Sequence, residues 1–457
     1  MKHLFILIGF LVPATLFAQK NTTENNTYIA SNSTANHTSN DGFTKQESSI
    51  NDKDSLERLY EESDKEGHQA KQLQEVVVGG SKSINDQPVS IGKVAINPMD
   101  LPQSISIIGQ EVLRDQQAQR LSDVIKNVNG VYLATTRGST QESFSARGYG
   151  FSSSNMFKDG SRINTGVMPE MSGLERVEIL KGSAAILYGN VAPGGIINMV
   201  TKQPKFEYGG SVSMRVGSYN LYKPAFDVYG PISKNIAFRV NGTYEHAGSY
   251  RNLPNASNRY YINPSLLFKV GAKTEVLVQA DYLKHDFTPD FGIGSYDNTK
   301  IPNVPIGTFY GTPWQYSKSQ QTTASAIVNH TFNENWKLNA SLSYQQYDRD
   351  YYSTERIQAL ANGDWARPLN RLISKEQYYI GTVNLTGYFK TFGMKHTLLA
   401  GVDADQYITQ STTFNQPKTY DTINLFDANK YTRRNDMPVA KEVLRTTAPI
   451  NRYGIYV

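Results

Sequence analysis

M-S-G-L-E-R-V-E-I-L-K-G-S-A-A-I-L-Y-G-N-V-A-P-G-G-I-I-N-M-V-T-K-Q-P, residues Met171 to Pro204, is the stretch on which the fold turns. Leu174, Val177 and Ile179 alternate with charged Glu175, Arg176, Glu178 and Lys181, roughly the two-residue period of a half-buried strand. Gly182 to Gly189 reads as a short apolar turn-and-helix piece. Pro193-Gly194-Gly195 signals a turn, Ile196 to Thr201 a second strand, and Pro204 its end. On pattern alone this is one strand–turn–strand unit of an α+β domain.

Beyond Lys205 the texture changes. Gly210 to Val216, Asn235 to Glu245, Tyr261 to Val270, Thr274 to Tyr282 and Trp336 to Gln346 alternate apolar with polar residues. Segments near Lys223 to Tyr229, Thr323 to Phe332, Tyr379 to Phe389, His396 to Ala404 and Asn451 to Val457 bring the count to about ten, each roughly seven to eleven residues long, close to the dyad signature of a lipid-facing, wet-inside barrel. Short connections (Pro231 to Lys234, Gly271 to Lys273, Asn333 to Asn335, Lys390 to Lys395) alternate with long ones (Ala247 to Asn258, His285 to Gln320, Tyr347 to Gln377, Asp405 to Ile450). Short periplasmic turns and long external loops produce that alternation, whereas a β-sandwich has no reason to obey it.

Upstream, Gln87 to Thr201 reads as a compact domain. Ile105 to Ile108 is a short strand. Gln110 to Asn127 forms one or two helices with Val112, Leu113, Leu121, Val124 and Ile125 on one side, and Asn129-Gly130 ends them. Asp159-Gly160 predicts a type I′ hairpin turn, where glycine relieves the positive φ. Earlier still, Gln19 to about Ala70 is too polar to bury the surface that ordering demands, so it reads as a disordered tether. Residues 1–18 have the form of a secretory signal: Lys2 and His3, apolar Leu4 to Val12, then Pro13 to Ala18.

The 457 residues are too many for one ordinary core. With no cysteine, disulfides, thiolate metal sites and a cysteine nucleophile are excluded. A net charge of +5 gives no reason to expect a nucleic-acid partner. Twenty-nine tyrosines and 35 glycines suit many short, half-wet strands. After the signal no run approaches the ~18 apolar residues of a spanning helix, so membrane passage would require a barrel. The seven histidines show no H-x-x-x-H or H-E-x-x-H spacing, and Gly148-x-Gly150 lacks the third glycine of a nucleotide loop. Neither a catalytic set nor a protein-borne metal site is expected.

L-E-R-V-E-I-L-K-G, then L-Y-G, then P-G-G-x-I-N-x-V-T-K-x-P resembles the plug signature of TonB-dependent outer-membrane receptors; Ser183 departs from it, standing where proline is usual. P-Q-S-I-S at Pro102 to Ser106, R-G-Y at Arg147 to Tyr149, x-x-D-G-x-R ending at Arg162, and K-H-T-L-L-A-G-V-D at Lys395 to Asp403 resemble its ferric-siderophore subgroup. Leu73 to Gly80, with Glu75, Val76, Val77 and Val78 at its centre, looks like the TonB box, an extended peptide captured by strand addition. The resemblance implies a mainly β protein. A tether at 19–70 and a TonB box at 71–80 would precede an α+β plug at 81–204, which sits inside a transmembrane antiparallel barrel beginning at 205. A plug of this size needs a barrel of about 22 strands, so the roughly ten present imply a C-terminally truncated chain.

The implied function is capture of a ferric siderophore outside the cell and TonB-driven import, by a single barrel held in outer-membrane lipid. Iron would arrive already chelated, so no cofactor is expected. Arg137, at the family's T-R-G position in the plug apex, offers a cationic fork to the ligand. Tyr149, Phe151 and Phe157 are candidate stacking faces in the plug, and Tyr250, Trp314 and Tyr316 in the loops. Plug residues Arg147, Arg176 and Glu178 are the candidates for locking it to barrel carboxylates, expected beyond Val457. Import of a vitamin, another chelate or a saccharide is the nearest alternative. A passive porin or adhesin, and a secreted β-sandwich enzyme, are further ones.

Overall fold

The computed structural model describes Val89, Pro98 and residues 103–137, 141–151, 155–163, 166–182 and 191–457, without the side chains of 135–137 and 141. The expected signal, tether and TonB box lie outside the described residues.

The N-terminal domain holds β1 (Ser104–Gly109), α1 (Gln110–Asp115), α2 (Leu121–Ile125), β2 (Val131–Arg137), β3 (Gln141–Ala146), β4 (Tyr149–Gly150), β5 (Met156–Lys158), β6 (Ser161–Arg162), β7 (Leu174–Lys181) and β8 (Gly195–Thr201). A sheet in the order β1-β7-β8-β5-β6 is its centre, and β2-β3-β4 forms a second, smaller sheet. Leu113, Leu121, Val124 and Ile125 pack with Val177, Ile179, Ile197 and Met199 in one core. Val112, expected on the same side, is more than a third exposed. The predicted I′ turn is present, with φ of 48° at Asp159 and 78° at Gly160.

One expectation is corrected. β7 is not half-buried: Glu178 is fully enclosed, and every residue of β8 is buried. The carboxylate is accommodated because Arg176 Nε lies 2.8 Å from Glu178 Oε1 while Asn198 Nδ2 donates to Oε2 at 3.1 Å. A buried charge is tolerated only with such partners.

The rest of the chain is one antiparallel sheet. Its strands are β9 (Gly209–Gly217), β10 (Leu221–Ser233), β11 (Ile236–Ala247), β12 (Ser257–Val270), β13 (Thr274–Phe287), β15 (Tyr316–Thr331), β16 (Trp336–Thr354), β18 (Asp364–Thr391), β19 (Met394–Asn415) and β21 (Lys441–Tyr456). Short strands β14 (Ser295–Tyr296), β17 (Gln358–Ala359) and β20 (Thr419–Asn424) belong to the connections. Each main strand pairs with its neighbour in sequence, from β9 at one edge to β21 at the other, and these edges are not joined. The ten expected strands are all present but longer than the pattern implied. Much of Tyr347 to Gln377, read as a loop, is β16 and β18 running on to Thr354 and from Asp364.

Side chains alternate across this sheet as strand geometry requires. Asp227, Arg239, Arg259, Gln279 and Asp281 face the N-terminal domain and are buried, while Phe226, Val228, Leu266, Val278 and Val383 face away and are exposed. The domain touches strands from β10, through Lys202 and Asp227, to β16, through Gly166 and Tyr347, so the sheet bends around it as a wall around a plug. A sandwich closing on itself would bury the outer apolar face. Among the described residues no helix is long and apolar enough to cross a membrane.

At the end away from the tight turns, the long connections fold into a roof. Tyr310, Ile357, Ala359, Trp365, Ile423 and Leu425 form its core. Arg367, 1 % exposed, forks onto Asp421 and donates to the carbonyls of Tyr310 at 3.1 Å and Gly311 at 3.0 Å.

Candidate functional site

Among the described residues, ionic anchors fasten plug to wall, and sequence reasoning missed those built on Glu170, Lys202 and the 158–159 turn. In the first, Glu170, just before β7, accepts Lys223 of β10 at 3.0 Å. It lies 3.1 Å from Arg259 Nε of β12, though not aligned as a hydrogen bond. Arg259 also donates to the Met168 carbonyl, and Lys223 pairs with Glu245 at 2.9 Å. Burial alone would push the Glu170 carboxyl up; Lys223 and Arg259 more than reverse this and hold it below the ordinary glutamate range.

In the second anchor, Lys202 reaches Asp227 at 2.9 Å, and Arg239 closes on the same carboxylate at 2.8 and 2.7 Å while donating to the Gln203 carbonyl at 3.0 Å. The third uses the hairpin turn. Lys158 pairs with Asp281, and Asp159 accepts from Thr201 N at 2.9 Å, Thr201 Oγ1 at 2.8 Å and Gln279 Nε2 at 2.7 Å. Burial raises the Asp159 carboxyl above the ordinary aspartate value despite these donors. The signal was in the sequence: D-G at 159 and T-K at 201 carry polar groups beside strands that are otherwise apolar.

The predicted locks behave differently. Arg176 and Glu178 pair with each other inside the plug, so no barrel carboxylate is needed to account for either. Arg147 occupies an exposed turn at φ 52°, with its guanidinium against Gly182. The ligand candidates also divide. Phe151 and Phe157 are 8 % and 3 % exposed and pack in the plug core, so neither offers a free face. Tyr149 and Tyr250 are exposed, the latter edge-on to Tyr219 at 6.4 Å. Trp314 is braced in a cluster of aromatic rings. It packs on Tyr352 and Tyr420, 4.9 and 5.4 Å away, and Nε1 lies 3.2 Å from the Tyr420 hydroxyl. Tyr316 bonds Asp350 at 3.0 Å in the same group, on the face of the sheet turned away from the plug. The Arg137 side chain lies outside the described residues.

The wall face toward the plug instead presents a patch on β13, β15 and β16. His285 stacks on Phe287 at 4.4 Å and contacts Ser257 at 2.9 Å, and the Arg349 guanidinium lies over the Tyr351 ring at 4.5 Å. Among the described residues, Ser317 Oγ, Gln321 Oε1 and Arg349 Nε are buried here without a hydrogen-bond partner. Orphaned polar atoms beside aromatic faces are what a concave ligand site supplies.

Residues 97–196 match the family model described as the TonB-dependent Receptor Plug Domain. The chain is 30 % identical over 314 residues to the metal-pseudopaline receptor CntO of Pseudomonas aeruginosa, covering 67 % of this chain and 44 % of that one. It is 27 % identical over 356 residues to the catecholate siderophore receptor Fiu of Escherichia coli K12, covering 72 % and 46 %. It thus spans about half the length of the curated relatives it matches. The closed-form crystal structure of Fiu superposes with a TM-score of 0.69 at 25 % identity, over 78 % of this chain and 53 % of that one. BauA, the ferric preacinetobactin receptor from Acinetobacter baumannii, shares the fold with a TM-score of 0.73 at 19 % identity, over 81 % and 57 %. A plug matched by its own family model, held by ion pairs within a wall of antiparallel strands, places the chain in the TonB-dependent receptors.

Proposed function

We propose that the protein captures a ferric siderophore on the roofed side of the plug and passes it to the periplasm with energy from TonB. The observation that carries the reading is the anchored plug: a passive pore has no use for a buried stopper held by Glu170, Lys202 and Asp159. The proposed setting is the outer membrane, reached through the signal at 1–18, with Glu75 to Val78 as the handle for TonB. Transport, not catalysis, is the activity. The metal arrives chelated, so the receptor contributes hydrogen-bonding groups and aromatic faces, for which the patch is suited, with Arg349 Nε as donor, Gln321 Oε1 as acceptor and the Ser317 hydroxyl as either. A second reading, import of a chelate of another metal, is favoured by the similarity to the metal-pseudopaline receptor.

The test is iron-limited growth of a deletion strain supplied with single siderophores. One class of chelate should restore growth. Deleting Glu75 to Val78 should abolish uptake while leaving binding intact; unchanged uptake would sink the reading in favour of a passive barrel.

A further inference from the structure

Toward the tight turns from the Arg349 patch, on the same strands, lies a second space. It measures about 800 Å³ and separates the plug, near the Asp159-Gly160 turn and Thr201 to Lys205, from the inner face of β15, β16 and β18. Alternate residues of β16 share that face, so Ser341 stands about 26 Å along the strand from Arg349. Between the two, Ser161 and Arg162 of β6 meet Gln345 and Tyr378 and leave about 30 Å³, room for water alone. The space near Ser341 is therefore a site of its own.

A void this large is foreign to a packed interior, and its volume falls in the range of small-molecule sites. Two of the anchors border it, one through Asp159 and Thr201 and the other through Arg239, so the contacts that fasten the plug also hold the space open. Asparagines line its wall side: Asn339 donates to Asn329 at 2.7 Å, and Asn384 to Asn339 at 3.4 Å. Its cations are Arg176, Lys205, Arg239 and Lys337, its acids Asp159 and Glu175. Arg176 and Arg239 are engaged by Glu178 and Asp227, and Asp159 by its own donors, which leaves Lys205 and Lys337 against Glu175. Neither lysine has a carboxylate within ion-pair distance among the described residues; Lys205 reaches the ring of Tyr229, 5.5 Å away.

We infer that this chamber is a transit site, where an anionic ferric chelate rests after leaving the Arg349 patch and before entering the periplasm, held by the asparagines and by Lys205 and Lys337. The inference rests on the import reading above and adds to it a second, separate resting place and the charge of the cargo.

The test uses strains that carry each variant in place of the native receptor, fed radioactive iron as its anionic tris-catecholate chelate. Ser341 and Thr382 face each other across β16 and β18 on the chamber side. Ser341→Ala should leave uptake unchanged, whereas Ser341→Trp/Thr382→Trp, which fills the chamber, should slow it roughly tenfold. Lys205→Gln/Lys337→Gln should slow it by a similar factor. All three purified receptors should bind the chelate with wild-type affinity, because the Arg349 patch is untouched. Leu342→Trp, on the outward face of β16, should change neither uptake nor affinity. Uptake at the wild-type rate in the filled or the lysine variant overturns the transit site and leaves import standing. An equal loss in Ser341→Ala, or weakened affinity in the filled variant, also overturns it, since the effect would then come from a disturbed plug. Uptake of other chelates but not of the tris-catecholate overturns the anionic class. Refusal of every chelate by the wild type would remove the import reading, and this site with it.

Discussion

The carboxylate of Glu170 in the plug lies 3.0 Å from the ammonium of Lys223 in the wall, and both side chains are almost wholly buried. Removing the carboxylate leaves Arg259 with the Met168 carbonyl but no acidic partner among the described residues, and leaves Lys223 with Glu245. Breaking a buried pair on one side costs about 3–5 kcal/mol, and Glu245 should keep Glu170→Gln near the lower end. Protection of plug amides from hydrogen exchange should fall in the variant. Unchanged protection would mean the pair contributes nothing net.

The same residue sets an acid limb. Its folded pKa lies below the ordinary 4.5, so its stabilisation is complete above that value and is lost as pH falls through the folded pKa. Asp159 has the opposite sign. Its folded pKa lies above 3.8, so it favours the folded plug below 3.8 and that advantage is lost as pH rises. Plug protection measured against pH should drop on the acid side in wild type and flatten in Glu170→Gln. Asp159→Asn should remove only the opposing limb. An acid limb left intact by Glu170→Gln would assign it to other groups.

Gly195 sits at φ 133°, and a Cβ there would come 2.1 Å from the Leu180 carbonyl oxygen, a backbone atom that cannot step aside. Gly195→Ala should therefore cost more than the roughly 1–3 kcal/mol of the dihedral alone and part β7 from β8. Gly148 at φ 81° meets nothing within 4 Å, and Gly148→Ala should cost only about 1 kcal/mol. Similar melting of the two variants would contradict the collision.

Arg349 and Phe151 should fail in different ways. Arg349→Ala should weaken chelate binding with the plug's protection unchanged. Phe151→Ala, a core truncation, should destabilise the plug by about 3–5 kcal/mol. Titration of each purified variant separates the two, and unaltered affinity in Arg349→Ala would remove the inner-wall patch as the site.

In the roof, Arg367→Lys keeps the charge but loses the fork that spans Asp421 and two carbonyls. Protease cleavage within 416–440 should accelerate while the barrel strands stay protected. Identical cleavage would show that the apolar core alone holds the roof together.

Strand existence was legible because alternation is imposed by one wet and one apolar face, as at Gly210 to Val216. Strand ends were not: beyond Gln346 both faces of β16 and the facing part of β18 are polar or covered, and the alternation that marked Trp336 to Gln346 fades before Thr354. The D-G turn at Asp159 was readable from local backbone chemistry. Its grip on Gln279 was not, since the two are 120 positions apart and only the fold brings them together. The packing of Trp314 was not legible, because only the fold brings Tyr352 and Tyr420 around a ring that follows proline in a long connection.

The order of fastening along the plug has a mechanical outcome. Among the described strands β1 lies at the margin of its sheet and pairs with β7, whereas the ionic links to the wall described above come later in the chain, at 158–159, 170 and 201–202. Tension entering from the amino-terminal side reaches β1 and the two helices first and those links last. Under load the leading half could therefore peel away while the trailing half stays riveted to β10, β12 and β13, opening a gap without ejecting the domain.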